Sequence, residues 1–281
     1  VSAAGDALPA TLGEALRLAQ GRVERIDARV LLREATGVST ATLAAFPERA
    51  ITPEAAAVFV EWLQRREAGE PIAYLTGERE FFGRTFRVTP ATLIPRPDTE
   101  LLVEKALASI KTLRAPRILD LGTGSGAIAI TLALERVDAD VWAVDRSPAA
   151  LDVASHNAMA LGATLQCRLG SWFQPLAGER FDCIVANPPY IAEHDPHLQQ
   201  GDLRFEPISA LAAGAGGLDD IRQIVSEAGD YLVAGGRLLL EHGYDQAEAV
   251  RALLDEHGFV DVRSWRDLAS IERVTGGYAR H

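Results

Sequence analysis

From residue 117 onward the chain alternates short apolar runs with amphipathic stretches, and nothing else in the sequence restricts the fold as strongly. Strand-like runs lie at 117–121, 141–145, 164–168, 181–186, 237–242 and 259–264, with a last one near 273–279. Helical spacing occupies 127–135, 148–161, 219–233 and 246–256 between them. Strands alternating with helices imply an α/β fold, a largely parallel sheet covered on both faces. Ser147-Pro148 opens one of these helices and Gly162 closes it, both sharp boundary signals. Residues 191–218 break the alternation and read as a long loop over the sheet edge, a length that in compact domains usually accompanies function.

The first 70 residues have a different period. Thr11 and Glu14 are spaced as a capping box, followed by Leu12, Ala15, Leu16 and Ala19 at helical intervals. A second helix is predicted over 27–36, stopped by Gly37 in a left-handed cap. Thr52-Pro53 starts a third, with Gly69 beyond its end. Residues 1–70 thus read as a helical domain and 71–97 as a linker carrying a β-hairpin at 81–88 around Gly83. Asp98 is the expected N-cap of the next helix, and 98–281 is the α/β domain.

Composition closes several functional classes. With 48% hydrophobic and 24% charged residues, the 281-residue chain has a globular balance. No uncharged run reaches the ~20 apolar residues of a membrane span, and the N-terminus lacks the pattern of a signal peptide. Cys167 and Cys183 form no paired motif, which fits a reducing, cytoplasmic setting. The balance of 28 basic to 39 acidic residues, net −11, lacks the basic footprint of a protein that grips nucleic acid. No membrane partner and no stable nucleic-acid binding are expected.

Two motifs carry chemistry. The first is Asp120-Leu-Gly122-Thr123-Gly124-Ser125-Gly126, after a strand and opening a helix. Its glycines permit a tight turn and close approach of a ligand to the backbone. Gly122, Gly124 and Ala127 also satisfy the dinucleotide pattern, and Asp145 ends the next strand where it could meet ribose hydroxyls. These residues alone leave NAD and other adenosine-bearing cofactors open. The second motif, Asn187-Pro188-Pro189-Tyr190, follows the strand 181–186 at the carboxyl edge, where open α/β sheets bind ligands. The prolines fix their own backbone and donate no hydrogen bond. An Asn oxygen beside a rigid carbonyl gives two acceptors for one NH₂ group, and the tyrosine offers a flat ring for a planar partner.

Together these motifs resemble S-adenosylmethionine (SAM) methyltransferases that modify planar NH₂ nitrogens. Gly77-Glu-Arg-Glu-Phe-Phe-Gly83, Leu93-Ile-Pro-Arg-Pro-Asp-Thr-Glu100, Asn187-Pro-Pro-Tyr-Ile191 and Arg204-Phe-Glu-Pro207 narrow the resemblance to the HemK/PrmC family, protein-(glutamine-N5) methyltransferases acting on peptide chain release factors. The resemblance implies a Rossmann-like seven-stranded sheet with an antiparallel last strand, and a helical domain that recognises the release factor. It implies that Gly122, Thr123, Gly124, Ser125 and Gly126 line the SAM site, with Asp145 on the ribose, Asp120 near the ammonium group and Trp172 beside the adenine. Asn187, Pro188, Pro189 and Tyr190 would hold the substrate, with Asn187, Pro188 and Tyr190 catalytic and Asn187 also touching cofactor. The product would be S-adenosylhomocysteine. Ser171 stands where the family often has an acid facing the adenine amino group.

Two other functions use part of this pattern. Adenine-N6 DNA or RNA methyltransferases share Asn-Pro-Pro-Tyr, and an NAD-dependent oxidoreductase would explain the glycine loop but not the tetrapeptide. His194 and His197 flank Pro196 with no cysteine nearby, so no metal site is expected. Cys183 reads as core, whereas Arg96 and Glu206 read equally as a structural ion pair or cap and as substrate contacts.

Overall fold

The computed structural model describes residues 8–280, which divide into two compact units, one ending at Gly77 and one beginning at Glu78. The first is all helical: α1 Leu12–Ala19, α2 Arg25–Thr36, α3 Thr40–Ala45, α4 Pro53–Glu67 and α5 Ile72–Thr76. Leu12, Leu31, Leu32, Phe59 and Leu63, all inaccessible, form its core. Thr11 accepts from the Glu14 amide as expected, but the Glu14 carboxylate reaches back to the amide of Ala10, not Thr11. Gly37 caps α2 at φ 67°, and the Thr52 hydroxyl caps α4. Helices α3 and α5 were not anticipated. Both are short, and α5 is bounded by Pro71 and by Gly77 at φ 77°.

The second unit opens with a hairpin, β1 Glu78–Phe81 and β2 Arg84–Arg87. Its two turn residues, Phe82 and Gly83, both have positive φ (51° and 70°), the turn geometry that matches strand twist. The segment read as a linker, 71–97, is divided: 71–77 belongs to the first unit and 78–97 to this one. Phe81 and Phe86 are buried against Leu102, Val103 and Ala106 of α6 Glu100–Ser109. Asp98 is not the N-cap of that helix. It sits in a 3₁₀ turn, Pro97–Thr99, and the Glu100 carboxylate instead accepts from the Phe82 amide at 2.8 Å.

The remaining elements are β3 Arg117–Leu121, α7 Ala127–Glu135, β4 Asp140–Asp145, α8 Pro148–Leu161, β5 Gln166–Leu169, β6 Phe181–Ala186, α9 Asp219–Tyr231, β7 Leu232–Glu241, α10 Ala247–Glu256, β8 Val260–Arg266 and β9 Glu272–Tyr278. Seven strands form one sheet in the order β5-β4-β3-β6-β7-β9-β8, with β9 antiparallel to both neighbours. The expected seven-stranded sheet with its antiparallel last strand is therefore present. Helix α9 stops at Tyr231 because β7 begins at Leu232, earlier than its apolar run suggested.

Strand register positions the site. Leu121 lies opposite Val144 on β4 and Ala186 on β6, and Ala186 lies opposite Leu240 on β7. The next residues along the chain, Gly122, Asp145, Asn187 and Glu241, consequently emerge side by side at the carboxyl edge.

Gly126 joins the loop to α7 at φ 82°, and a Cβ there would lie 2.8 Å from Ile130 Cδ1 and 3.1 Å from Ala154 Cβ on α8. Gly162 shares the left-handed conformation (φ 75°), but a Cβ would meet nothing within 4 Å. Gly162→Ala is expected to cost only the backbone strain, about 1–2 kcal/mol. Gly126→Ala adds overpacking and should cost about 2–5 kcal/mol in total, read from urea denaturation midpoints.

Candidate functional site

A cleft of about 260 Å³ opens at this carboxyl edge, walled by residues between Phe81 and Ala210. Gly122, Thr123, Gly124, Ser125, Asp145, Trp172, Asn187 and Pro189 stand on its wall, with Arg96 and Thr99 from the segment before α6. Asp120, Gly126, Pro188 and Tyr190 do not. Asp120 lies fully buried beneath the glycine loop, and Tyr190 turns its hydroxyl towards Glu241 at 3.5 Å.

The glycine loop is held from several directions. The amides of Gly122 and Thr123 donate to the Val144 carbonyl at 2.8 and 3.0 Å. Asp145 accepts from the amides of Gly124 at 2.8 Å and Ser147 at 2.9 Å, which leaves each carboxylate oxygen further lone pairs for a ligand. Asn157 on α8 accepts from the Arg87 amide and donates to the carbonyls of Arg87 and Ser125, tying the hairpin to the loop. A Cβ on Gly122 would touch the Trp172 ring at 3.4 Å. One on Gly124, at φ 56°, would meet no protein atom within 4 Å, so this backbone faces open space that a ligand can occupy.

Two buried carboxyls stand out. Asp120 Oδ2 accepts from the Thr123 hydroxyl at 2.7 Å, whereas Oδ1 is buried without a partner. Burial pushes its pKa up to about 7, with help from the Asp145 charge and against the hydrogen bond from Thr123. Glu241, at the end of β7, is likewise raised to about 7 by burial. Asn187 donates from Nδ2 to Thr99 Oγ1 at 3.2 Å, and its Oδ1 is buried with no partner in the protein.

The loop 191–218 folds over the cleft and contributes Pro207, Ser209 and Ala210 to its wall. Its ends are bridged where Ile191 pairs with the strand-like segment around Ala212. Arg146 donates to the Ser209 carbonyl at 2.7 Å. Glu206 is wholly buried, accepting from the Ile94 amide at 3.0 Å and from Arg96. Of the two readings of this pair, Glu206 is the structural clamp, while Arg96 remains partly exposed in the cleft. His197 pairs with Asp195 at 2.7 Å in a surface turn, and among the described residues no cluster of three His, Cys, Asp or Glu could hold a metal. Cys183 is buried in β6, its thiol pushed up to about 11.

The PrmC N-terminal domain family matches residues 12–77, and the methyltransferase small domain family matches residues 97–202. A release factor glutamine methyltransferase of Burkholderia pseudomallei is 53% identical over 276 residues, 96% of each chain. That of Escherichia coli is 51% identical over 254 residues, 90% of this chain and 91% of the other. The chain belongs to the release factor glutamine methyltransferase family. Among solved structures, a Pyrococcus furiosus methyltransferase aligns with TM-score 0.55 at 17% identity, over 79% of this chain and 99% of its own. A Thermus thermophilus 16S rRNA methyltransferase in complex with AdoMet and guanosine aligns with TM-score 0.56 at 22% identity, over 72% of this chain and 50% of its own. These distant likenesses concern the fold. No helix among the described residues is long and apolar enough to cross a membrane.

The methyl donor of this family is SAM, and the residues present fit it. Open backbone at Gly124, an indole on the wall, a carboxylate with spare lone pairs and two buried oxygens lacking partners suit a cationic nucleoside ligand. Sequence reasoning passed over Thr99, Asn157 and Glu241. The signal for Glu241 was present, a lone acid closing the run Leu238-Leu239-Leu240. Nothing local in the sequence marks Asn157, whose partners are brought to it only by folding.

Glu206→Ala strands the Ile94 amide and the Arg96 guanidinium together. It is expected to lower stability by roughly 2–4 kcal/mol and to speed proteolytic cleavage within 191–218. Thermal melts and limited proteolysis would read both effects.

Proposed function

We propose that this chain transfers a methyl group from SAM to the side-chain amide nitrogen (N5) of the glutamine in the Gly-Gly-Gln loop of peptide chain release factors. The observation carrying the reading is Asn187 Oδ1, a buried acceptor beside the cleft with nothing in the protein to accept from. Its placement after a central strand, next to a proline carbonyl, suits a substrate NH₂ group. The cytoplasm, where translation terminates, is the compartment we assign, and two unpaired cysteines fit it.

A glutamine amide nitrogen is a poor nucleophile because its lone pair is delocalised into the carbonyl. Asn187 Oδ1 and the Pro188 carbonyl would each accept one of its hydrogens, holding the nitrogen's lone-pair face towards the donor. The same two acceptors favour the positive charge that develops on nitrogen. Alignment of this kind is worth on the order of 7–11 kcal/mol in the best intramolecular cases, so no strong base is required before transfer. Pro189 shapes the wall, and Tyr190 supports the tetrapeptide from behind. Residues 122–126, Asp145 and Trp172 would hold the cofactor's backbone-facing edge, ribose and adenine, with Asp120 beneath its ammonium group. When bound, SAM supplies a methyl made electrophilic by the sulfonium and leaves as S-adenosylhomocysteine, and the methylated amide would then release one nitrogen-bound proton to solvent. Ser171, on the wall beside Trp172, offers no carboxylate and leaves adenine recognition to stacking and backbone contacts. We assign release-factor recognition to the N-terminal helical unit, whose match to the PrmC N-terminal domain supports the reading.

Label from methyl-tritiated SAM should pass to a release factor and not to the same factor with its loop glutamine replaced. DNA and RNA in parallel should stay unlabelled; label there would make the enzyme a nucleic-acid methyltransferase instead. Asn187→Ala should abolish transfer with an unchanged melting profile, and near-normal turnover would refute the mechanism.

A cationic ligand favours the ionised form of Asp120. SAM affinity should therefore weaken as pH falls below about 7, by up to about tenfold per unit. Calorimetry between pH 6 and 8 would show this slope in the wild type and its loss in Asp120→Asn.

A further inference from the structure

We propose that Gln246 is a positioning residue for methyl transfer, its side-chain amide pinning the Tyr190 carbonyl and through it the acceptors of Asn187 and Pro188. The inference rests on the reading of Asn187 Oδ1 and the Pro188 carbonyl as acceptors for the substrate amide.

The tetrapeptide is held by the sheet at its near end only. There Ala186 lies opposite Leu121 on β3 and Leu240 on β7, in the last ladder row of β6. Beyond it, Pro188 and Pro189 have no N–H with which to extend a ladder. Their fixed φ also makes the segment stiff, so a shift at Tyr190 is carried back to Asn187. Gln246 supplies the hold at the far end. It precedes α10 at the N-cap position, yet its side chain makes no cap bond. Instead Nε2 donates to the Tyr190 carbonyl at 3.0 Å and to the Gly217 carbonyl at 3.3 Å, while Oε1 accepts from the Gly243 amide at 2.9 Å. One amide group thus joins the segment after β6, the end of the 191–218 loop and the turn after β7. Gly217, at φ 68°, permits the close approach: a Cβ there would lie 2.4 Å from the Tyr190 carbonyl oxygen.

The orientation of the Gln246 amide is set by groups whose roles cannot change. The Gly243 amide only donates, so Oε1 faces it; the two carbonyls only accept, so Nε2 faces them. The turn that carries Gly243 is itself held from β8 and β9. His242 is buried, which lowers its pKa and keeps the ring neutral. Its Nδ1 donates to the Gly243 carbonyl at 2.9 Å, so Nε2 accepts from the Thr275 hydroxyl at 2.7 Å. Thr275 in turn accepts from Ser264 at 2.7 Å, and Ser264 from Arg251 at 2.6 Å. The pin therefore has a rigid backing. The loop's contribution to the cleft wall is anchored elsewhere, by Arg146 at the Ser209 carbonyl and by Glu206 at the Ile94 amide. Gln246 thus acts on the tetrapeptide and not on the cofactor's wall.

The test uses the full-length enzyme at saturating SAM, with a release factor as substrate. Gln246→Met, similar in length but without the amide, should lower kcat by about 10²-fold, the scale of a misplaced reacting group. KM for the release factor and the affinity for SAM should change little. Gln246→Glu keeps the shape but turns a carboxylate towards two carbonyls, and only its protonated form regains a donor. Its kcat relative to wild type should therefore rise roughly tenfold as pH falls from about 8 to about 5.5. A packing role alone would leave that ratio flat. Hydrogen exchange reads the pin without any substrate. The Ile191 amide, bonded to the Leu211 carbonyl at 2.9 Å, should lose protection in Gln246→Met. Amides of β3 should keep theirs, showing an intact fold. Near-normal kcat in Gln246→Met, a flat ratio in Gln246→Glu, or Ile191 protection indifferent to the change would overturn the proposal. SAM affinity that falls in step with kcat would overturn it too, by placing the loss in the cofactor's wall. A wild type that leaves the release factor unlabelled, while Ile191 loses protection in Gln246→Met, would refute the substrate reading and keep the pin.

Discussion

The structure depends on the parallel register at the centre of the sheet. Leu121, Val144, Ala186 and Leu240 share one row across β3, β4, β6 and β7, so the four strands end within one residue of the same level. Buried parallel strands cannot slip independently, because each shift would move apolar side chains to the wrong face. In the row beyond, β3 and β6 have left the ladder while Asp145 and Glu241 keep one outer neighbour each, and this carboxyl edge is where open α/β sheets offer polar groups to ligands. Gly122, Asp145, Asn187 and the buried Glu241 occupy that row, and the first three have an assigned part in the proposed chemistry.

A row of strand ends does not by itself make a binding site, since loop backbone must also be held still. Here the holding groups come from outside the strands. Val144 takes two amides of the glycine loop, Asp145 takes a third, and Asn157 reaches from α8 to both Ser125 and β2. The hairpin thereby becomes part of the frame behind the glycine loop. Glu206 does the same for the opposite lip by gripping Ile94 and Arg96 across more than a hundred residues of sequence. Methyl transfer to a weakly nucleophilic amide gains most from alignment, and these contacts are what alignment requires.

The outline was legible in the chain. Strand–helix alternation, Gly37, Gly162 and Thr52-Pro53 mark local backbone states that depend on few neighbours, and those boundaries appear as expected. Readings that failed involved competition between local and tertiary partners. Asp98 has the chemistry of an N-cap, yet the Pro97–Thr99 turn carries it away from that position. Helix α9 ends before 233 because Leu232 joins β7, a gain no helix propensity records. Tyr190 looked like a stacking platform at the cleft, but its hydroxyl is drawn to the buried Glu241 behind the wall.

Sequence alone determined the fold class, the two chemical motifs and the family, because each is written in residues a few positions apart. Spacing of glycines, prolines and apolar residues governs backbone angles and burial patterns directly. Tertiary structure decided which polar atoms face one another: Asp120 and Thr123 beneath the loop, Glu206 across the lips, Thr99 beside Asn187. Those pairings join residues from 3 to 112 positions apart. Hydrogen bonds are directional and short-ranged, so their partners are defined only once packing has brought distant strands and turns into register.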